Sequence, residues 1–429
     1  MVTAQSRFQR CGRVRALRWT CVLGAFALIG CTALPRRDAP PTLVSSATPV
    51  DFPAEVRFLS TDRASVETRS TAALQRLRSS SKDGMLRALV LSGGGAGGAF
   101  GAGALVGLGR RQERPQYDVV TGVSAGALIA PFAFLGPEWD SELTEAFTSG
   151  RGEQMTVRGL LKLPFGASRR SAALTALVDH YISPELIKAV AREAGNGRLL
   201  WVATTDLDKE ETVIWDLGAI AMRGGEPARR LFRDVLVASA SIPGVFEPVL
   251  IHVQQGGRLY DEMHVDGGAS TSLFVAPVAA YFALLDQRSL DGARVYVLIN
   301  GQIIDVPETT PFKLGPVVAR TFRAALKHMS RAQVVAIDQF ADKYRMSVHS
   351  TYLPYDYPRY SSADFRASTM RPLFEYGARC AQSGLLWTTM DETMATVAAA
   401  APIAKRTPPL DQEVACPLRD VQVAAGSTR

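Results

Sequence analysis

The chain has 429 residues, 47% hydrophobic and 21% charged, which is material for a large apolar core and excludes disorder along its whole length. Its formal charge of +7 falls to +2 for residues 31–429, because residues 1–30 hold Arg7, Arg10, Arg13, Arg15 and Arg18 and no acid. A basic face for nucleic acid is therefore not indicated, and no stretch interleaves Arg or Lys with aromatic residues as a single-strand groove does.

The basic start is followed by WTCVLGAFALI, Trp19 to Ile29. This run is too short for a spanning helix, which needs about 20 residues, and has the length and flanks of a secretory leader. It runs into LIGC, Leu28 to Cys31, which resembles the bacterial lipobox. The resemblance implies that residues 1–30 form a lipoprotein signal peptide and that Cys31 carries the lipid. It further implies export and lipid anchoring to the cell envelope; Thr32 after the cysteine favours the outer membrane, facing the periplasm. Residues 31–51 are rich in Pro, Ser and Thr and read as a flexible tether. Cys11 and Cys21 would leave with the leader, so Cys380 and Cys416 remain. Export permits them to pair, but their spacing does not show that they meet.

The folded region is expected over residues 52–400, with a polar tail at 401–429. Residues 61–82, with Leu74 and Leu77 in helical spacing, suggest a short helix. Met85–Leu91 reads as a buried strand, the stretch from Ala99 as a helix, Tyr117–Thr121 as a second strand and Ser124–Leu135 as an apolar helix stopped by Gly136 and Pro137. Residues 138–196 are mainly helical. Strands follow at Leu199–Thr204 and Thr212–Trp215, a helix at Phe232–Ala240 and a core strand at Arg294–Ile299. Long helical stretches are expected around Val317–Phe340 and Leu373–Ala400, with an aromatic, Pro-rich loop or edge segment at Tyr352–Tyr360. This order predicts an α/β sandwich with a mostly parallel central sheet.

Two motifs carry chemistry. GGGAGG, Gly93 to Gly98, follows a hydrophobic strand and matches GxGxxG. A dinucleotide loop would need an acid at the far end of the next strand, and Asp118 stands at the near end. A phosphate-cradling loop would need GK[ST], which is missing. GVSAG, Gly122 to Gly126, is a GxSxG between a strand and an apolar helix, the setting of a nucleophile elbow. Ser124 would project from the turn at a helix N-terminus, whose dipole and backbone N–H groups favour developing negative charge.

A serine nucleophile needs a base. His180, His252, His264, His328 and His349 are scattered, and they offer neither an obvious partner for Ser124 nor a zinc site. Asp266, in EMHVDGG, could take the serine proton directly if a dry setting raises its pKa. A plain tight turn at Gly267 and Gly268 is the other reading of DGG.

GGGAGG, GVSAG and DGG together, in that order, resemble the patatin-like phospholipase family. SASIPGVFEPV from Ser239 to Val249 and TTDLDKEE from Thr204, with Asp206, resemble two further segments of that family. The resemblance covers residues 85–301. It implies a three-layer α/β/α sandwich and cleavage of lipid acyl esters by a Ser124–Asp266 dyad, through an acyl-enzyme and without a histidine or a cofactor. It also implies an oxyanion loop at Gly93, Gly94, Gly95, Ala96, Gly97 and Gly98, with N–H donors near Gly94, Gly95 and Ala96. One departure is Gly97, where the family often has Arg or Lys, so the loop lacks the fixed positive charge that would attract an anionic head group at that point. Phe132, Phe134, Leu160, Leu161, Pro164 and Phe165 could line an acyl entrance or be ordinary core. The expected partner is membrane lipid or another acyl ester. An acyltransferase using the same dyad, or a non-catalytic lipid-binding envelope lipoprotein, are the alternatives.

Overall fold

The computed structural model describes residues 36–39, 46–80, 83–157, 166–275, 290–304, 308–398 and 414–418. Those from 39 onward belong to one unit; of the other, residues 1–38, only 36–38 are described. Cys31 and the leader lie outside the described residues.

In chain order, Thr48–Pro49 (β1) and Arg57–Leu59 (β2) precede helix Arg63–Ser80 (α1). Then come Arg87–Leu91 (β3), Gly98–Arg110 (α2), Val119–Val123 (β4), Ala125–Leu135 (α3) and Asp140–Thr148 (α4). Helices Ala167–Tyr181 (α5) and Pro184–Gly195 (α6) lead to Leu199–Asp206 (β5) and Glu211–Asp216 (β6). Leu217–Arg223 (α7), Gly225–Ser239 (α8), Val249–Gln255 (β7) and Arg258–Asp266 (β8) follow. The described chain closes with Arg294–Gln302 (β9), Leu314–Tyr344 (α9), Ser347–Leu353 (β10), Ala367–Gln382 (α10), Thr388–Thr389 (β11) and Met390–Ala398 (α11).

The strands make one sheet, in the order β1-β7-β8-β5-β4-β3-β9-β10-β11, with β6 and β2 continuing from β5. Its middle, β5-β4-β3-β9-β10, is parallel; every pairing outside it is antiparallel. The sheet is thus mixed, with the parallel character confined to the centre. Side chains alternate between two cores, as the period of two in a strand requires. Leu89, Leu91, Val120, Leu200, Val202 and Leu298 pack with α2, α3, α6 and α10 on one face. Ala88, Val90, Val119, Trp201, Val295 and Val297 pack with α1 and α9 on the other. Near-continuous apolar strands such as RALVL are what a sheet covered on both faces demands.

Four boundaries differ from the sequence expectation. The fold begins before Phe52, because Thr48 and Pro49 pair with Gln254 and Val253 and Ala47 is buried. That short strand covers the edge of β7, whose unpaired backbone would otherwise invite association. The alternating exposure of β7 hid it among loop residues. The stretch expected as one helix over Leu373–Ala400 is two, divided by a bend and the short strand β11. Helix α8 starts at Gly225, seven residues before Phe232, and the aromatic segment begins inside β10. Cys380 of α10 forms a disulfide with Cys416, so the pairing that spacing left open is made, and it fastens part of the stretch expected as a polar tail. No described helix is long and apolar enough to cross a membrane.

Candidate active site

Ser124 sits between β4 and α3 with φ +54° and ψ −123°, a conformation that a residue with a Cβ adopts only under strain. The flanking glycines make the turn possible. A Cβ on Gly122 would stand 2.6 Å from the Gly126 carbonyl oxygen, and one on Gly126 would stand 2.4 Å from that of Leu91. The strained turn is held from outside: the Ser124 N–H donates to Ser239 Oγ (3.0 Å), which donates to the Ala203 carbonyl (2.7 Å).

The sheet register brings the acid to the serine. Strand β4 pairs with β5 up to Val123↔Ala203. From Thr204↔Asp266 onward, β8 takes over that edge of β5, running the opposite way, while β6 occupies the other. The C-terminal ends of β4 and β8 therefore meet head to head, and Ser124 and Asp266 follow from consecutive positions on β5. Ser124 Oγ donates to Asp266 Oδ2 at 2.6 Å; the other carboxylate oxygen, Oδ1, accepts the Gly268 N–H at 2.7 Å. The Asp266 N–H donates to the Ser241 carbonyl. One segment, 239–241, thus holds both nucleophile and acid. The sequence had marked it as a family-like stretch without giving it this role.

Asp266 is buried, and no cation pairs with it among the described residues. Burial pushes its pKa up to about 7, against the opposing pull of the Ser124 hydroxyl and the Gly268 N–H. A carboxylate with that pKa can both take and return a proton near neutrality. His264 does not take part: its ring faces Thr204 and Glu262.

The glycine loop passes directly over the serine, where a Cβ on Gly93 would stand 3.1 Å from Ser124 Cβ. Of the N–H groups expected at the oxyanion, that of Ala96 is engaged by the Ser362 carbonyl (2.8 Å), because the loop folds onto the segment before α10. Gly93 and Gly97 donate to Ser272 and Gly94. The N–H groups of Gly94 and Gly95 have no acceptor among the described residues, so these two carry the donor role open to a ligand. Gly95 has φ +56° and lies so close to Ser362 that a Cβ would meet its carbonyl oxygen at 2.1 Å; no other residue fits. At Gly97, a Cβ would stand 2.3 Å from the Asn300 carbonyl and 2.6 Å from Tyr360 Oη. Asn300 and Tyr360 fill the room that a long basic side chain would need.

Ser124 and Gly95 face an apolar cavity of about 780 Å³, open solvent at its mouth included. Its walls include Leu128 and Phe132 of α3, Leu174, Val178 and Tyr181 of α5, Leu236 of α8, and Phe246 and Phe365. Phe134, the other aromatic residue considered for an entrance, is fully buried core. Leu160, Leu161, Pro164 and Phe165 lie outside the described residues. The α5 and α8 contributions were not visible in sequence, since nothing local distinguishes a cavity wall from an ordinary core face.

Asp206, Glu262 and His264 bring ligand-type atoms within 4.8 Å of one another. The Lys209 ammonium already stands among them, 2.6 Å from Asp206 Oδ2 and 2.6 Å from Glu262 Oε1, and the Arg57 guanidinium pairs with Glu262. Protein cations occupy the place of a metal, so this group reads as a buried ion network.

Residues 89–279 match the model of the Patatin-like phospholipase family. The chain therefore carries a domain of the patatin-like phospholipases, a family of lipid acyl hydrolases. No curated protein matches it. Among solved structures, VipD from Legionella pneumophila is similar over 70% of this chain and 67% of its own, with 12% identity and a TM-score of 0.30. That likeness is too distant to support an argument about activity.

Proposed function

We propose that the protein is a serine acyl hydrolase of lipid or lipid-like carboxylic esters, with Ser124 as nucleophile and Asp266 as its base. The observation that carries this reading is the 2.6 Å bond from Ser124 Oγ to a buried carboxyl with no cation beside it, at the wall of an apolar cavity.

Ser124 Oγ attacks the ester carbonyl carbon and its proton passes to Asp266 Oδ2. The oxyanion accepts the N–H groups of Gly94 and Gly95, donors already fixed before charge develops. Collapse breaks the bond to the alcohol oxygen, which leaves with the proton from Asp266. Water then attacks the acyl-enzyme and gives Asp266 a proton. Collapse of the second intermediate releases the acid, and Ser124 Oγ recovers its proton. The cavity walls suit an acyl chain, and the absence of a basic side chain at position 97 favours neutral or simple esters at that point of the loop.

The test is turnover of carboxylic and phospholipid esters by Ser124→Ala and Asp266→Asn. Both should lose it while remaining folded; full activity in either variant removes the dyad. Product analysis with glycerol present separates hydrolysis from acyl transfer.

The same proposal places the chain in the cell envelope, anchored through lipidated Cys31. The leader pattern supports this, and so does the Cys380–Cys416 disulfide, a bond that persists in oxidising compartments. Labelling with a fatty-acid analogue should mark the parent and not Cys31→Ala.

A further inference from the structure

Helix α9 crosses the end of the sheet that carries the dyad. A Cβ on Gly268, two residues beyond Asp266, would stand 3.5 Å from Leu326 Cδ2. One turn further on, Ser330 Oγ donates to Ser272 Oγ at 2.9 Å, and Gln333 binds Ser272 and Thr271. Val334 and Ile337 then enter the core. These residues define the face by which α9 packs on the body.

The start of α9 is different. Leu314, Val317 and Val318 are 82%, 41% and 58% exposed, and Phe312, just before the helix, is wholly exposed. Leu314, Val317, Val318, Thr321 and Ala325 follow helical spacing along a face turned away from the packing face. Single exposed apolar residues are ordinary, but four within seven positions, led by an aromatic, mark a binding surface.

The charge of the segment that carries this patch points to its occupant. Residues 308–331 contain Lys313, Arg320, Arg323, Lys327 and Arg331 against the single acid Glu308, a net charge of +4. Since residues 31–429 carry +2 in all, the rest of that region is net negative. Glu308, the one acid of that stretch, pairs with Arg320 (2.7 Å) and also with Arg359 (2.9 Å), which brings a further cation to it from outside the stretch. Arg359 adjoins Tyr360, which packs against the oxyanion loop, giving α9 a second link to the active-site end. Apolar side chains flanked by basic ones are the composition of a segment that lies in the head-group boundary of an anionic bilayer. A second copy of the chain fits less well, because a two-fold contact would set this positive patch against itself.

We infer that Phe312 and the exposed face of Leu314, Val317 and Val318 dock on an anionic phospholipid surface, with the dyad end of the sheet held towards the lipid. The orientation rests on the acyl-hydrolase reading; the docking does not. A lipid at Cys31 would bring the protein near a membrane, and the patch would set which end faces it.

The test uses the full chain with Cys31→Ser, so that no acyl anchor contributes, sedimented with phosphatidylglycerol–phosphatidylcholine vesicles and with pure phosphatidylcholine vesicles. Binding should be about tenfold or more tighter to the anionic vesicles and weaken with salt. Phe312→Ser, Leu314→Ser and Val318→Ser combined should weaken it by about tenfold or more. Thermal unfolding and turnover of a soluble short-chain ester should not change. Unchanged vesicle binding by the triple variant overturns the inference, as does equal binding of the parent to neutral and anionic vesicles. Loss of a dimer with vesicle binding intact would assign the patch to self-association and overturn it too. Binding is read without turnover, so failure of the dyad and failure of the docking surface remain distinct results.

Discussion

Glu262 and Asp266 lie four residues apart on β8, on the same face of the strand, and both are buried. At Glu262 burial opposes ionisation, but the Arg57 guanidinium and the His264 ring beside it hold the carboxyl well below the usual range. The Lys209 ammonium bonds the same carboxylate. At Asp266 burial meets only one hydroxyl and one N–H, and the pKa is pushed up to about 7. Burial alone does not decide what a carboxylate can do; the charge of its partners does. The paired acid is fixed as a carboxylate and serves the structure. The unpaired one exchanges its proton near neutrality, and the strand ends where it meets Ser124.

The largest effect should come from the unpaired side of this comparison. Ser124→Ala or Asp266→Asn should lower ester turnover on the order of 10⁴-fold, measured as kcat. On the paired side, Arg57→Met leaves Glu262 buried with less compensation and should cost about 3 kcal/mol in denaturant unfolding. Replacing Arg57 and Glu262 together by apolar residues should recover much of that loss.

A smaller effect separates the two acids by pH. The folded pKa of Asp266 lies above its unfolded value, so its contribution to stability is fully present below about pH 4 and is lost as pH rises through about 7. Glu262 has the opposite sign: its contribution is present above its unfolded pKa and is lost in acid. Asp266→Asn, which keeps an acceptor for Gly268, should therefore raise Tm by a few degrees at pH 8, and the gain should fade towards pH 4. A Tm that drops at pH 8, and by more there than at pH 4, would mean that Asp266 is a structural acid like Glu262.

The contrast also explains what could be read from the sequence. Ser124, the glycine loop and Asp266 were legible because turn geometry restricts residue types: only small residues fit around the elbow, and only glycine fits at position 95. The central strands were legible because a sheet covered on both faces needs unbroken apolar runs. The ion network was not, since Arg57, Lys209 and Glu262 come together only through strand pairing. The engagement of Ala96 by Ser362 is likewise a contact across more than 260 residues. Strand β7 escaped notice because its polar residues are exposed at the sheet's flank, and the split of the last helical stretch because short β11 lacks a pattern of its own.

The most direct test of the central claim is the rate at which a fluorophosphonate labels Ser124, followed by mass spectrometry across pH 5 to 9. A base with a pKa of about 7 predicts labelling that rises through that value and levels off above it, and Asp266→Asn should label slowly at every pH. Labelling of Asp266→Asn at the parent rate, with the same pH profile, would contradict the assignment of Asp266 as the base.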